Sequence, residues 1–360
     1  MIKAVTVAAL TLVALLLAAP LAWGAPRGQV YDVLDLPAVE SSRATRAHLF
    51  GITRAGDRLV AVGQRGFILY SDDWGESWQQ ASVPVSSTLL TAYFPTPQKG
   101  WATGHDGVVL HSSDGGQNWI KQLDGYQAAE TSLSYYRARL AAEPDNETYR
   151  FLVDEMLFAV EQGADRPFFV TWFENDQVGW VLGAYAMILR TEDGGLSWQP
   201  DMENEPNFNF RHIFTMEVVQ EKRYLSGESG LIWSQDTPKA DLRAIEPFYD
   251  GSFYTMISSR DGDLLIAGLR GNAFRSTDHG KTWSIVDLPT AAAVAGSTRL
   301  QDGRIVLVTQ AGQILVSSDG GLNFTKMATG RLYPLSGVVE GRPGEIVVVG
   351  LGGVRVLKLD

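Results

Sequence analysis

The chain has 360 residues, 45% apolar, 10% aromatic and 20% charged, a composition that supports a sizeable packed core and excludes disorder. Lys+Arg number 30 against 41 Asp+Glu, for a net charge of −11; this argues against nonspecific binding to DNA, RNA or anionic lipid, each of which needs clustered positive charge. With no cysteine, the chain has no disulfide, thiolate metal site, thiol nucleophile or N-terminal cysteine for a lipid anchor, which suits an oxidising periplasm.

In chain order, Lys3 and the charge-free stretch 4–19, followed by the small residues Ala22 and Gly24, read as an export signal over residues 1–24, cut before Ala25. The alternative is an uncleaved anchor, for which the stretch is short against the roughly 20 residues of a bilayer span. No later apolar run approaches that length. Residues 25–360 are therefore expected to be one soluble, periplasmic domain without a membrane span of its own.

From there a repeat organises the chain. Five segments share Ser/Thr-x-Asp-x-Gly-x-x-Trp/Phe: 71–78 with Asp73 and Trp78, 112–119 with Asp114 and Trp119, 191–198 with Asp193 and Trp198, 276–283 with Asp278 and Trp283, and 317–324 with Asp319 and Phe324. A sixth, worn copy is placed at 234–238 around Asp236. The central aspartates then lie 41, 79, 43, 42 and 41 residues apart. Before each box come three short apolar runs separated by turns, and after it one more. Four strands per repeat is the period of a β-propeller blade.

Six repeats are followed by a truncated seventh at 337–359. A lone strand at 29–34 is expected to pair as the fourth strand of that last blade and so close the ring. The expected fold is all-β, a seven-bladed propeller. The nearly doubled interval between Asp114 and Asp193 holds an insertion over about 124–166, between blades two and three. It reads as a helical hairpin, roughly 128–142 and 146–162, with Leu133, Tyr136 and Leu140 on one apolar stripe and Leu152, Met156 and Val160 on the other. Tyr135, Tyr149, Phe151 and Phe158 are expected to leave aromatic surface free for a partner.

In each box an aspartate can accept backbone N–H bonds, a glycine supplies a restricted backbone geometry, and an aromatic ring wedges between sheets. Such regular repetition points to scaffold rather than to catalysis. With the strands of a blade lettered a to d outward, the box is the c–d turn and lies on the face of the a–b turns, so the b–c turns and d–a loops share the opposite face. Arg65, His105, Tyr185, Arg211, His212, Glu228 and Arg270 gather there and are the candidate contacts.

A sialidase-like hydrolase would need an arginine cluster, a tyrosine nucleophile with an acidic partner, and an acid/base aspartate. Arg65, Arg211, Arg270, Tyr185 and Glu228 give only loose material for that. Five histidines show no metal-ligand spacing and no phosphate loop is present, so neither metal nor cofactor is expected. The alternatives to a protein-binding scaffold are an Asp-box glycoside hydrolase and a glycan or small-ligand binder.

The turns resemble Asp-boxes, or BNR repeats, found in sialidases, other glycoside hydrolases, sortilin-type receptors and photosystem II assembly factors. The longer phrase is more telling: Gly100-Trp101-Ala102-Thr103-Gly104 leading through 108–110 to Ser113-Asp114-Gly115-Gly116 and Trp119, and Gly179-Trp180 to Gly183 leading through Ile188-Leu189 to Asp193-Gly194-Gly195 and Trp198. That phrase is similar to the photosystem II stability/assembly factor family. The resemblance implies a seven-bladed, non-catalytic propeller that binds membrane-protein intermediates through an arginine-bearing face, for which Arg65, Arg211 and Arg270 are the local candidates. The implied partner is the exposed part of an inner-membrane complex or transporter. The helical insertion departs from the simplest family pattern.

Overall fold

The most apolar run of each repeat becomes the second strand of a sheet. Arg58–Gly63, Gly100–Gly104, Gly179–Gly183, Lys222–Gly227, Leu264–Gly268, Ile305–Thr309 and Glu345–Gly350 are buried along nearly their whole length. A strand covered on both faces reads as a continuous apolar run rather than an alternation. The computed structural model describes residues 32–203, 210–237 and 240–359; the expected export signal lies outside them.

Each second strand pairs antiparallel with a first and a third strand, and six of the seven sheets add a short outer strand. The sheets span residues 49–80, 89–123, 168–200, 213–244, 253–286, 294–326 and 335–358, here blades one to seven. First strands of consecutive sheets pack side by side, and Leu335–Glu340 of the last lies against Leu49–Ala55 of the first. The seam between blades seven and one is filled by Leu59, Val339 and Val347 with Ile52, Trp78 and Val354.

Five turns repeat one hydrogen-bonded pattern. In blade two, Ser112 Oγ donates to Asp114 at 2.8 Å and accepts from Gly116 N at 2.9 Å. Asp114 also accepts from Asn118 N at 3.0 Å and Asn118 Nδ2 at 2.7 Å, and Trp119 Nε1 donates to Gly116 O at 2.9 Å. Gly116 has φ +88°, a conformation that disfavours any side chain. The Ser77 hydroxyl holds the Asp73 carboxyl down at about 2, the Thr282 hydroxyl does the same for Asp278, and the Asn323 backbone N–H for Asp319. These aspartates are occupied within their own turns.

The worn copy in blade four needs a correction of one residue. Ladder partners put the box Ser/Thr opposite the start of the second strand: Leu59↔Ser71, Gly100↔Ser112, Gly179↔Thr191, Leu264↔Ser276 and Ile305↔Ser317. In blade four the pair is Arg223↔Gln235. Gln235 therefore stands at the Ser/Thr place and Thr237 at the aspartate place. Asp236 instead forms ion pairs with Lys222 at 2.8 Å and Arg243 at 3.3 Å.

Between blades two and three lie α1 (Gly125–Ala142) and α2 (Glu147–Gln162). The first begins three residues before its expected start because Asp124 and Gln127 form a reciprocal capping box. Asn146 caps the second, and Gly163 at φ +84° ends it.

The expected closing strand 29–34 lies outside the described residues as far as Tyr31, and its described end is not strand. Val33 and Leu34 are in a turn. Leu34 is buried with Val83, Val85 and Val108, and Ser86 N donates to Val33 O at 2.8 Å. Among the described residues blade seven has three strands. Leu34 and Val33, its described end, are held by these contacts against blades one and two.

Candidate functional site

A register shift occurs near the start of every first strand, each time skipping its second residue in the ladder. Such a β-bulge frees one side chain from the sheet and re-aims it. The seven skipped residues are Phe50, Leu90, Phe169, Phe214, Tyr254, Ala295 and Ser336, and all seven line one cavity of about 560 Å³, with His48, His105 and Gln310 beside them. Residues from all seven blades converge there, at the ends of the first strands that carry the b–c turns. This is the mouth of the central channel. Large apolar or aromatic groups come from blades one to five and small ones from blades six and seven, so the mouth is lopsided. His48 stacks near Phe50 with ring centroids 4.0 Å apart, and burial pushes its imidazole below its ordinary value.

Around the mouth the b–c turns of blades one to five have the same shape. Arg65, Asp106, Tyr185, Ser229 and Arg270 adopt φ between 51° and 58°, a left-handed conformation uncommon for side chains other than glycine. Each is followed by a glycine except in blade three, where Ala186 also has φ 54°. Two consecutive non-glycine residues in this region concentrate backbone strain at Tyr185.

Tyr185, Arg211, His212 and Glu228 come together at this strained turn. Tyr185 N donates to His212 Nδ1 at 3.0 Å, so the neutral ring carries its proton on Nε2. The two rings meet edge to face at 5.0 Å. His212 N donates to Glu228 Oε2 at 3.2 Å, and Arg211 donates to Ser229 O at 3.2 Å. Behind Tyr185 the buried guanidinium of Arg166 lies 5.0 Å from its ring and donates to Glu155 of α2 at 2.6 Å. The helical hairpin is thereby tied to the rim.

His105 reaches the mouth. Arg65 and Arg270 are exposed at the corresponding turns of blades one and five, and neither forms a side-chain hydrogen bond or ion pair among the described residues. The helical tyrosines differ from expectation. Tyr149 is 7% exposed, and its hydroxyl accepts from Arg139 Nε at 3.1 Å, so it clamps the two helices rather than offering a contact. Tyr135 is half-buried and donates to Glu203 at 3.0 Å, and burial beside that carboxylate pushes its hydroxyl up to about 12. The helix α1 packs on the outer strand of blade three (Gln199–Pro200), and Tyr136 OH accepts from Met202 N at 3.1 Å. The exposed aromatic surface of the hairpin comes from Phe151 and Phe158, two of the four expected residues, together with Tyr126.

The ring of bulged residues is the feature that sequence reasoning missed. Its signal was available in the pairs Leu49-Phe50, Phe168-Phe169, Ile213-Phe214 and Phe253-Tyr254, where two large apolar residues in succession break strand alternation.

Deeper in the channel, Thr91, Tyr93, Thr171, Trp172 and Glu217 border a cavity of about 350 Å³. Glu217 accepts from Ser258 N at 3.0 Å and Ser258 Oγ at 2.7 Å, while Arg299 donates to the carbonyls of Ser258 and Ser259 at 2.8 Å each. Burial pushes the Glu217 carboxyl above its usual range. Among the described residues no three or more metal-ligating side chains gather in one place, and no helix is long and apolar enough to cross a membrane.

Seven blade-like sheets about a channel define the class: an all-β propeller. Residues 159–324 match the family model described as "Photosynthesis system II assembly factor YCF48", so the resemblance carried by the repeats to photosystem II stability/assembly factors is shown. The photosystem II assembly lipoprotein Ycf48 of Synechococcus sp. (strain CC9902) is 34% identical over 154 residues, 41% of this chain and 45% of that protein. The chloroplastic photosystem II stability/assembly factor HCF136 of Oryza sativa subsp. japonica is 26% identical over 166 residues, 41% of this chain and 40% of that one. The chain thus spans less than half the length of the curated relatives it matches. A solved structure described as "YCF48 bound to D1 peptide" superposes with a TM-score of 0.64 at 15% identity, covering 90% of this chain and 99% of the other; at that identity the likeness is one of fold.

Proposed function

We propose that this chain is a non-catalytic, exported propeller that binds a protein partner at the channel mouth, as an assembly or stability factor for an inner-membrane complex or transporter. The observation that carries this reading is the ring of seven bulged side chains. It forms a lopsided apolar recess on a rigid scaffold, bordered by the Tyr185–His212–Glu228 group and the exposed Arg65 and Arg270. A recess of this kind seats an apolar anchor residue of a partner, while the rim supplies orientation and charge. The likeness to a YCF48 that holds a peptide supports the same use here.

The contacts within the rim favour binding over glycoside hydrolysis. A tyrosine nucleophile needs a carboxylate at its hydroxyl. Glu228 instead accepts from the His212 backbone, and Tyr185 presents its ring to His212 and Arg166.

Photo-crosslinkers placed in cells at Phe50, Arg65 and Arg270 test the reading, with Lys281 beside the blade-five box as control. A discrete membrane-protein adduct from the mouth and rim, absent at Lys281, is expected. The absence of an adduct from every site would remove the stable-partner reading and bring glycan turnover assays forward.

A further inference from the structure

We propose that the open edge of blade seven docks an extended, acidic segment of a partner protein, which pairs with Gly353–Lys358 as the missing fourth strand. Six blades have an outer strand and the seventh, among the described residues, does not.

The register shows where such a strand would sit. In blade one the second strand pairs Val62↔Ile68, Ala61↔Leu69 and Val60↔Tyr70; in blade seven the matching pairs are Val349↔Val354, Val348↔Arg355 and Val347↔Val356. The outer strand of blade one pairs with Leu69 and Tyr70, and the next residue, Ala81, donates its N–H to Ile68 O at 2.8 Å. The same bond recurs from Asp201 to Ile188 at 3.0 Å, Ile245 to Ile232 at 2.9 Å and Met327 to Ile314 at 2.9 Å. In blade seven the equivalent acceptor is Val354 O. Because backbone groups alternate in direction along an antiparallel strand, Val356 turns its N–H and C=O to the same open side as Val354. An edge of this kind templates an incoming strand, with main-chain bonds supplying affinity and flanking pockets supplying selectivity.

Beside that edge lies a cavity of about 650 Å³ bordered by Arg46, Glu76, Trp78, Tyr333, Arg355 and Val356. Tyr333 and Val356 are exposed there. Glu76 is already paired with Arg342, whereas the guanidinium groups of Arg46 and Arg355 form no hydrogen bond or ion pair among the described residues. The edge is therefore cationic on a chain of net charge −11, which selects a segment carrying carboxylates around an apolar residue. A second copy would bring Arg355 and Lys358 against their own kind.

Residues 34–41 of the chain itself pack elsewhere, on blades one and two. Leu34 is buried with Val83 and Val85, Ala38 N donates to Val83 O at 3.0 Å, and Ser41 N donates to the Gln80 side chain at 2.9 Å.

The test uses residues 25–360 and two labelled peptides, Ac-EVTVE-amide and its lysine counterpart Ac-KVTVK-amide, followed by fluorescence anisotropy and amide hydrogen exchange. The acidic peptide is expected to bind and to slow exchange at Val356 at least tenfold, and the lysine peptide to bind at least tenfold more weakly. Val356→Pro removes one outward N–H and is expected to weaken binding tenfold or more. Arg355→Glu, a surface change that leaves the fold intact, is expected to do the same. Failure of the acidic peptide to bind, or unchanged binding in both variants, overturns the proposal. So does a Val356 amide already protected in the free protein and released by deleting residues 25–42, or protection that rises with dimer formation. This edge is separate from the channel mouth, so an Arg65→Glu/Arg270→Glu variant keeps the peptide binding, and failure here leaves the partner reading above standing.

Discussion

Blades two and four face the same packing problem and meet it with different side chains. In blade two, Trp119 fills the gap against blade one: it is 4% exposed, meets Phe94 edge to face at 5.8 Å, and clusters with Val60 and Val62. Blade four has no box tryptophan, yet the face of blade three that it must cover presents Trp172 and Trp180. Arg223 covers it. Its guanidinium lies 3.5 Å from the Trp180 ring centroid and 5.0 Å from that of Trp172, and it is 3% exposed. Gln235 accepts from Arg223 at 3.3 Å, and Glu174 stands 3.8 Å away. Burial pulls the Arg223 guanidinium down to about 10, still charged at neutral pH. The comparison teaches that the box is one way of wedging neighbouring blades, and that a desolvated cation stacked on indoles is another.

Four measurements break or sharpen that comparison. The largest effect is expected from Trp119→Ala, which deletes a buried ring and leaves a cavity between blades; a loss of about 3–5 kcal/mol in denaturant unfolding is expected. Next comes Arg223→Ala, which strips Trp180 of its cover and should cost about 2 kcal/mol. If Arg223→Ala unfolds at the same denaturant concentration as wild type, the two blades are not equivalent and the idea of a substitute wedge fails. Smaller again, Asp114→Ala removes charged acceptors from its turn, at a cost of about 1–2 kcal/mol. Asp236→Ala, which breaks only surface ion pairs, should leave the thermal midpoint where it was.

A further, pH-dependent effect lies in the acid limb. Asp73, Asp278 and Asp319 are held at about 2 in the folded chain, below the unfolded value near 3.9. Their contribution is therefore present above about pH 4 and lost as pH falls towards 2. Glu217, raised by burial, acts with opposite sign: its contribution is full below its unfolded value and lost as pH rises through the folded one. A triple Asp→Asn variant at the three boxes should show a shallower decline in thermal midpoint between pH 4 and 2. An unchanged slope would place the acid sensitivity outside the boxes.

Much of the architecture was readable because its signals are local. The seven second strands are continuous apolar runs, and each box is an eight-residue motif whose hydrogen bonds close within five residues, so both can be read without knowing any neighbour. The helices were found from Leu133, Tyr136, Leu152 and Met156, but the capping box at Asp124 was overlooked. The candidate site was only partly legible. Tyr185, Arg211, His212 and Glu228 do converge, whereas Tyr149 is buried against the other helix, because an aromatic stripe does not say which side of a hairpin faces its partner. Asp236 was assigned to a box by its identity, when the ladder shows that the place belongs to Thr237.

By itself, then, the amino-acid sequence determined the repeat period, the strands, the turn chemistry and the absence of thiol chemistry. Each depends on side-chain alternation or on hydrogen bonds between residues a few positions apart. Tertiary structure alone decided three things: that seven bulges aim Phe50, Phe169, Phe214 and Tyr254 into one mouth, that Arg223 covers blade three, and that residues 33–41 pack on blades one and two while blade seven, among the described residues, has three strands. Those outcomes depend on which distant segments win the competition for a shared surface.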